Sequence, residues 1–197
     1  MQKIGLFGGS FDPVHLGHLL VAQAAREELG LDRLFFIPAA QSPFKPGSKT
    51  APNADRLRLL CLALAGKTWC EIDEQELQRG GVSYTIDTVR DFSRRFARAQ
   101  LFYLIGADHV QKLTSWREAN ELARLTEFVV VPRPGEHEPS FPAPFRGHVL
   151  TGFPLGVSSS QIRARIKGGQ PVDHLVPATV AEAIRISSIY VKAAAGA

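Results

Sequence analysis

The sequence predicts a doubly wound α/β fold, a mostly parallel sheet with helices on both faces in a Rossmann-like arrangement. Three observations predict it. Short β-rich apolar runs alternate with helical periodicity along nearly all of the 197 residues, an order that favours parallel pairing through right-handed crossovers. The runs are apolar throughout, as strands buried on both faces are. Residues foreign to a core fall just after the runs, where open parallel sheets bind their ligands.

The first strand is expected at 3–7, followed by GGSFDPVHLGH from Gly8 to His18. Residues 16–29 carry helical spacing and stop at Gly30, suited to the left-handed position after a helix. A second strand at 33–38 precedes the helical DRLRLLCLALAG, and a third is expected at 70–73. Ile86, Val89, Phe92 and Phe96 mark the buried stripe of a helix that starts near Ser83–Thr85. After a strand at 101–105, Ser115 and Glu118 have the spacing of a capping box for a short helix. Strands at 127–131 and 148–151 flank a surface connection over 132–147. The chain closes with a helix at 161–167 behind a serine cap and another at 177–186, with proline in its first turn.

With 45% apolar side chains and no linker, repeat or low-complexity tract, residues 1–197 read as one domain in which 170–191 form a helical subregion. The net charge of +4 favours anionic partners. Its lysines and arginines are scattered, with no basic stripe interleaved with aromatics, so nucleic acid is not an expected partner. No run reaches the roughly 18 apolar residues of a membrane span, and the N-terminus shows no signal pattern, so a cytoplasmic protein is expected. Cys61 and Cys70 read as reduced thiols packed in the core. Whether the chain forms a homo-oligomer is left open by the sequence.

The opening stretch carries the chemistry. Gly8 and Gly9 would allow a phosphate to meet main-chain N–H groups, and the helix that follows adds its positive end. His15 and His18, at i and i+3, share one face of the first turn, with Gly17 leaving room for a nucleotide. Each imidazole can donate N–H to a phosphate oxygen. No third His or Cys with ligand spacing is nearby, so no protein metal site is expected. The pattern is neither G-x-G-x-x-G nor G-x-x-x-x-G-K-[ST].

GGSFDPVHLGH resembles the first signature of the nucleotidylyltransferase superfamily, and Ser158-Ser159-Ser160-Gln161-Ile162-Arg163 resembles the second. ELQRGGVSYTIDTV (76–89), IGAD (105–108), SWREANEL, VVVPRPG (129–135) and LVPATVAEAI are similar to segments of the bacterial nicotinate-mononucleotide adenylyltransferases. That resemblance implies joining ATP to nicotinate mononucleotide by direct in-line attack, giving nicotinate adenine dinucleotide and pyrophosphate. It implies backbone donors at Ser10 and Phe11, His15 and His18 on the ATP phosphates, and Arg163 with a helix start capped by Ser158, Ser159 and Ser160 on the same oxygens. Asp108, after Gly106, would accept from ribose hydroxyls.

For the second substrate the resemblance implies stacking on Trp116 and N–H groups at Tyr84–Thr85 for the nicotinate carboxylate, with Lys45 and Arg133 as further contacts. Phe44 stands where the family pattern P-x-x-x-P-P-H-[KR] has a histidine, and Arg117 stands where many relatives have an aromatic. Mg²⁺ is expected to arrive on ATP without dedicated protein ligands. Asp12 would either reach the ion indirectly or stabilise its turn. Two rival readings stand beside the nicotinate reaction: an adenylyltransferase that takes nicotinamide mononucleotide or both mononucleotides, and a non-catalytic nucleotide-binding protein, which loss of a motif histidine or of Arg163 would favour, though all three are present.

Overall fold

The computed structural model describes residues 1–44, 50–131, 139–153 and 155–191. Its strands are β1 (Lys3–Gly9), β2 (Arg33–Pro38), β3 (Cys70–Ile72), β4 (Gln100–Ile105), β5 (Glu127–Val130) and β6 (Gly147–Val149). They form one parallel sheet in the order β3-β2-β1-β4-β5-β6. The α-helices among the described residues are α1 (Leu16–Leu29), α2 (Asn53–Leu64), α3 (Gln75–Arg79), α4 (Thr85–Arg95), α5 (Ala107–Val110), α6 (Ala119–Leu125), α7 (Ser159–Lys167) and α8 (Ala178–Ser187). None of the described helices is long and apolar enough to cross a membrane.

Period-two alternation divides each central strand between two cores. Leu34, Phe36, Phe102, Leu104 and Val129 face the side covered by α1, α2, α7 and α8. Phe35, Ile37, Leu101, Tyr103 and Phe128 face the side covered by α4 and α6. Gly5 lies on the first side, where an added Cβ would come within 2.7 Å of Leu31 Cδ1, so α1 and its following turn pack close to β1. The strand order reverses between β1 and β4, which opens a crevice beyond Gly9 and Ile105.

The predicted elements are present, with informative shifts. β1 runs on to Gly9, because Gly8 and Gly9 still pair with Ile37 and Pro38. The outer strands β3 and β6 are only partly buried, since each has one neighbour. Ser115 is not a helix cap. Its hydroxyl donates to Lys112 O at 2.7 Å within the 3₁₀ turn Leu113–Ser115, and α6 starts only after Glu118, whose φ of 55° is left-handed. Glu118 turns its carboxylate to Arg90 at 3.0 Å. Pro177 is the N-cap of α8, one place before the first turn. Cys61 is exposed on α2, contrary to the core position expected, whereas Cys70 is partly buried and its thiol is pushed up to about 12 by desolvation.

One buried arginine ties the crevice loops together. Arg56, in the first turns of α2, is fully buried and donates to the carbonyls of Ser10, Ala39 (2.7 Å) and Ala51 (3.2 Å) and to Asn53 Oδ1 (2.6 Å). Burial lowers its pKa, while the charge of Asp12 works against that shift. A planar guanidinium can span carbonyls from three directions, which a single ammonium cannot. Arg56→Ala is expected to lower unfolding stability by about 3 kcal/mol or more, because it strands buried carbonyls without donors. Arg56→Lys should recover little of that in urea melts; a lysine variant as stable as the parent would show that charge, not the fork, matters.

Candidate active site

Beyond the carboxyl ends of β1, β2 and β4 lies a cavity of about 410 Å³, lined by Gly8, Gly9, Ser10, Ala39, Gly106 and Asp108, among others. A second cavity of about 220 Å³ adjoins it, with Phe44, Thr85 and Trp116 common to both and Tyr84 and Arg117 added. This is the place the strand order designates.

Gly8 and Gly9 serve the cavity by what they lack. A Cβ on Gly8 would lie 2.2 Å from the Tyr103 hydroxyl, and one on Gly9 would lie 3.2 Å from the Phe11 ring. Neither glycine has a positive φ; the left-handed residue of the turn is Phe11, at 45°. Its ring is fully buried, 5.6 Å from Phe7, 5.5 Å from Phe36 and 5.0 Å from the His18 imidazole. The sequence offers Gly8 and Gly9 as the residues free to take an unusual backbone conformation, and neither does. Anchoring the phenyl ring in the core is what stabilises it at Phe11 instead.

His15 is the N-cap of α1, and its backbone N–H donates to His18 Nδ1 at 3.2 Å. A ring nitrogen that accepts this bond carries no proton, so the imidazole proton of His18 sits on Nε2, as a donor. The two rings stack with centroids 3.7 Å apart. A Cβ on Gly17 would come within 3.0 Å of both His15 Nδ1 and Val157 Cγ1, so glycine is required for this packing. Neither imidazole is among the residues that line the larger cavity; His18 is linked to it through the Phe7 ring, 5.9 Å away, which does line it.

The serine-rich segment meets this turn directly. Ser158 caps α7, accepting from Gln161 N at 3.3 Å while Gln161 Oε1 accepts from Ser158 N at 2.9 Å. Of the three serines only Ser158 is the cap. Ser159 Oγ donates to Pro13 O at 2.9 Å, and Ser160 Oγ accepts from Arg163 at 3.3 Å. Arg163 donates to Asp12 O at 2.6 Å and lies 3.6 Å from Asp12 Oδ2. Segments 146 and 151 residues apart are thereby held together.

Around the smaller cavity, Ser83 accepts from Ala40 N at 3.0 Å and its N–H donates to Gln41 O at 2.9 Å, pinning the N-terminus of α4 to the loop after β2. Tyr84 is the N-cap of α4 and Thr85 its first residue. Arg117 lies over the Tyr84 ring at 4.7 Å. Phe44 packs 4.6 Å from His109 and 5.2 Å from Trp116. The Trp116 indole is nine-tenths buried, and its Nε1 has no hydrogen-bond partner among the described residues. Asp108, in the short α5, folds back so that a Cβ on Gly106 would meet its Oδ1 at 2.6 Å. Lys45 and Arg133 lie outside the described residues.

Sequence reasoning missed Arg56, Gln161 and Glu76. Glu76 is buried beside the larger cavity and accepts from Thr88 Oγ1 at 2.6 Å; desolvation raises its pKa. Gln161 was legible as the fourth residue of a capping box beginning at Ser158. Glu76 opens the family-like segment 76–89 but was given no role, and Arg56 carried no local signal, since only tertiary packing buries it.

The cytidylyltransferase-like family matches residues 6–165. An Opitutus terrae protein named "probable nicotinate-nucleotide adenylyltransferase" is 41% identical over 192 residues, covering 96% of this chain and 98% of that protein. A Dehalococcoides mccartyi protein of the same name is 36% identical, covering 95% and 97%. The solved structure of Plasmodium falciparum nicotinic acid mononucleotide adenylyltransferase complexed with NaAD superposes with a TM-score of 0.77 at 15% identity, covering 96% of this chain and 98% of that one.

Gly8→Ala is expected to destabilise the fold by about 1–3 kcal/mol, the range for overpacking a close-packed interior. Tyr103→Phe, which removes the clashing oxygen, should return part of that loss in the double variant. Additive losses in denaturant unfolding would mean that the contact is relieved elsewhere.

Proposed function

The chain belongs to the cytidylyltransferase-like family and, within it, to the nicotinate-nucleotide adenylyltransferases; from that premise we propose that it joins ATP and nicotinate mononucleotide into nicotinate adenine dinucleotide and pyrophosphate, a step of NAD biosynthesis. The observation that carries the site assignment is the junction between the turn after β1 and the start of α7, through Ser159–Pro13 and Arg163–Asp12. That junction brings the start of α7, with Arg163, to the turn that leads into α1, which supports reading His15, His18 and Arg163 as one phosphate site.

In this reading an oxygen of the mononucleotide 5′-phosphate attacks the α-phosphorus of ATP, and the bond to the β-phosphate oxygen breaks as pyrophosphate leaves. No enzyme side chain becomes covalently attached. Holding the two phosphates in line contributes roughly 7–11 kcal/mol through effective molarity. Charge accumulates on the leaving pyrophosphate, and donors fixed beforehand bind it more strongly than they bind the ground state. His18 supplies Nε2–H, positioned by the bond its Nδ1 accepts. Arg163 and the first turn of α7 add positive charge, Ser10 and Phe11 offer backbone N–H groups, and Asp108 accepts from a ribose hydroxyl.

Trp116 forms the stacking wall for the pyridine ring, and the unpaired N–H groups that open α4 at Tyr84–Thr85 receive its carboxylate. A carboxylate only accepts hydrogen bonds. The amide of nicotinamide mononucleotide would turn N–H donors toward donors, and unpaired polar groups of that kind create discrimination. Mg²⁺ would arrive on the ATP phosphates and neutralise part of their charge, because it gives up its water reluctantly.

Purified protein with ATP and Mg²⁺ is expected to release pyrophosphate faster with nicotinate mononucleotide than with the nicotinamide form. Equal or reversed rates would remove the specificity assignment and leave adenylyl transfer standing. His18→Ala should lower kcat by about 100-fold or more, the range for losing a transition-state donor, with KM for the mononucleotide changed only a few-fold. Unchanged turnover would take His18 out of the reaction.

A further inference from the structure

Asp12 is buried to a side-chain exposure of 3% at the centre of the phosphate turn, and its partners come from three separate parts of the chain. Oδ1 accepts from Ala51 N at 3.2 Å and from the Tyr190 hydroxyl at 2.8 Å. Oδ2 lies 3.6 Å from Arg163 Nη1, which donates to the Asp12 carbonyl at 2.6 Å. Tyr190 stands 178 residues from Asp12, just after α8. We infer that Tyr190 is a positioning residue for the phosphate cradle, its hydroxyl sharing the charge of Asp12 so that Arg163 can leave Asp12 for the phosphates of ATP. The inference rests on the adenylyltransferase reading and extends it to the C-terminal segment.

The physical need arises from burial. An ion pair shielded from water interacts strongly, and removing one partner strands the other charge. If Arg163 were the main compensation for Asp12, its departure toward a phosphate would leave a buried carboxylate exposed to that cost. Arg56 acts on Asp12 through its charge alone, because its N–H groups go to the carbonyls of Ser10, Ala39 and Ala51 and to Asn53. Tyr190 and Ala51 are the donors that remain when Arg163 turns away.

Two further features fit this role. Burial and the charge of Asp12 raise the Tyr190 pKa, so the phenol keeps its proton and stays a donor at neutral pH. The backbone at Tyr190 has a φ of 75°, following Ser188 at 50°, a conformation uncommon for an aromatic residue that persists where surrounding contacts enforce it. Those contacts are the apolar core beneath the ring and the hydrogen bond to Asp12.

Tyr190→Phe keeps the ring and removes only the donor. Steady-state kinetics on the full chain should show kcat/KM for ATP falling about tenfold to a hundredfold, the range a hydrogen bond to a charged group commands. KM for nicotinate mononucleotide should stay within about twofold, since Trp116 and Tyr84 line a different cavity. In an Asp12→Asn background, where Arg163 is no longer held by charge, the same substitution should cost less than about threefold. ATP affinity by calorimetry reports that coupling if the double variant turns over too slowly to assay.

A Tyr190→Phe enzyme with parental kcat/KM for ATP would overturn the inference. So would an equal loss in the Asp12→Asn background, or a rise in both KM values together with a lowered melting temperature, which would mark a merely structural tyrosine. A parent protein that releases no pyrophosphate from ATP and nicotinate mononucleotide would instead overturn the reaction reading, and this inference with it.

Discussion

The hydrogen bond from Ser159 Oγ to Pro13 O, which ties the start of α7 to the turn after β1, is the constraint on which the site depends, and Arg163 donates to Asp12 O beside it. Each helix alone would present a positive end to solvent, a weak and common feature. The hydrogen bonds bring the start of α7 to the turn that leads into α1, and in the proposed reaction two such ends together would favour a triphosphate. Concentrating that field has a cost in the absence of an anion. Asp12, placed beside Arg163, offsets it from within the turn.

The molecule therefore separates two kinds of interior. Below the crevice, the cores on either side of the sheet are apolar and follow strand alternation. At its rim lies a layer of buried polar groups, Asp12, Arg56, Glu76, Ser83 and Thr88, each tied to backbone or to another side chain. Apolar packing sets where the strands end, and the polar layer sets how the loops leave them. A buried network of this kind contributes little net stability, yet it permits few alternative loop geometries because any rearrangement leaves a partner unpaired. A site that must align two phosphates to a fraction of an ångström needs that restriction more than it needs stability.

Much of this was legible in the residues. Apolar runs and helical stripes located the central strands and long helices, because the burial that selects those residues also forms the elements. Motif spacing placed His15 and His18 together at the start of α1 and the serines at the start of α7. Three things escaped. Phe11, and not a glycine, takes the left-handed turn, since the stabilisation comes from a ring pocket made by Phe7 and Phe36 and no local rule reports it. The cap predicted at Ser115 failed because a 3₁₀ turn takes up its hydroxyl. Arg56 looked like one more surface charge, because a sequence does not say which arginine will face three carbonyls. Each miss is a tertiary contact overriding a local preference.

Phe44 shows how such an override can leave the chemistry intact. In the proposed reaction an imidazole at this position would add a donor near the second substrate; a phenyl ring adds none. It packs instead against Trp116 and His109, which gives this part of the smaller cavity an aromatic surface suited to shape and apolar contact. In the proposed reaction, recognition of negative charge would then fall to the start of α4, where Arg117 lies over Tyr84. Arg117 keeps its charge at the cavity while its guanidinium face is occupied by the ring, so its remaining N–H edges can turn toward an acceptor. An aromatic wall facing a donor-rich wall suits a flat ring carrying one carboxylate, and the loss of a histidine narrows where the charge of that ring can be read without altering how the ring is held.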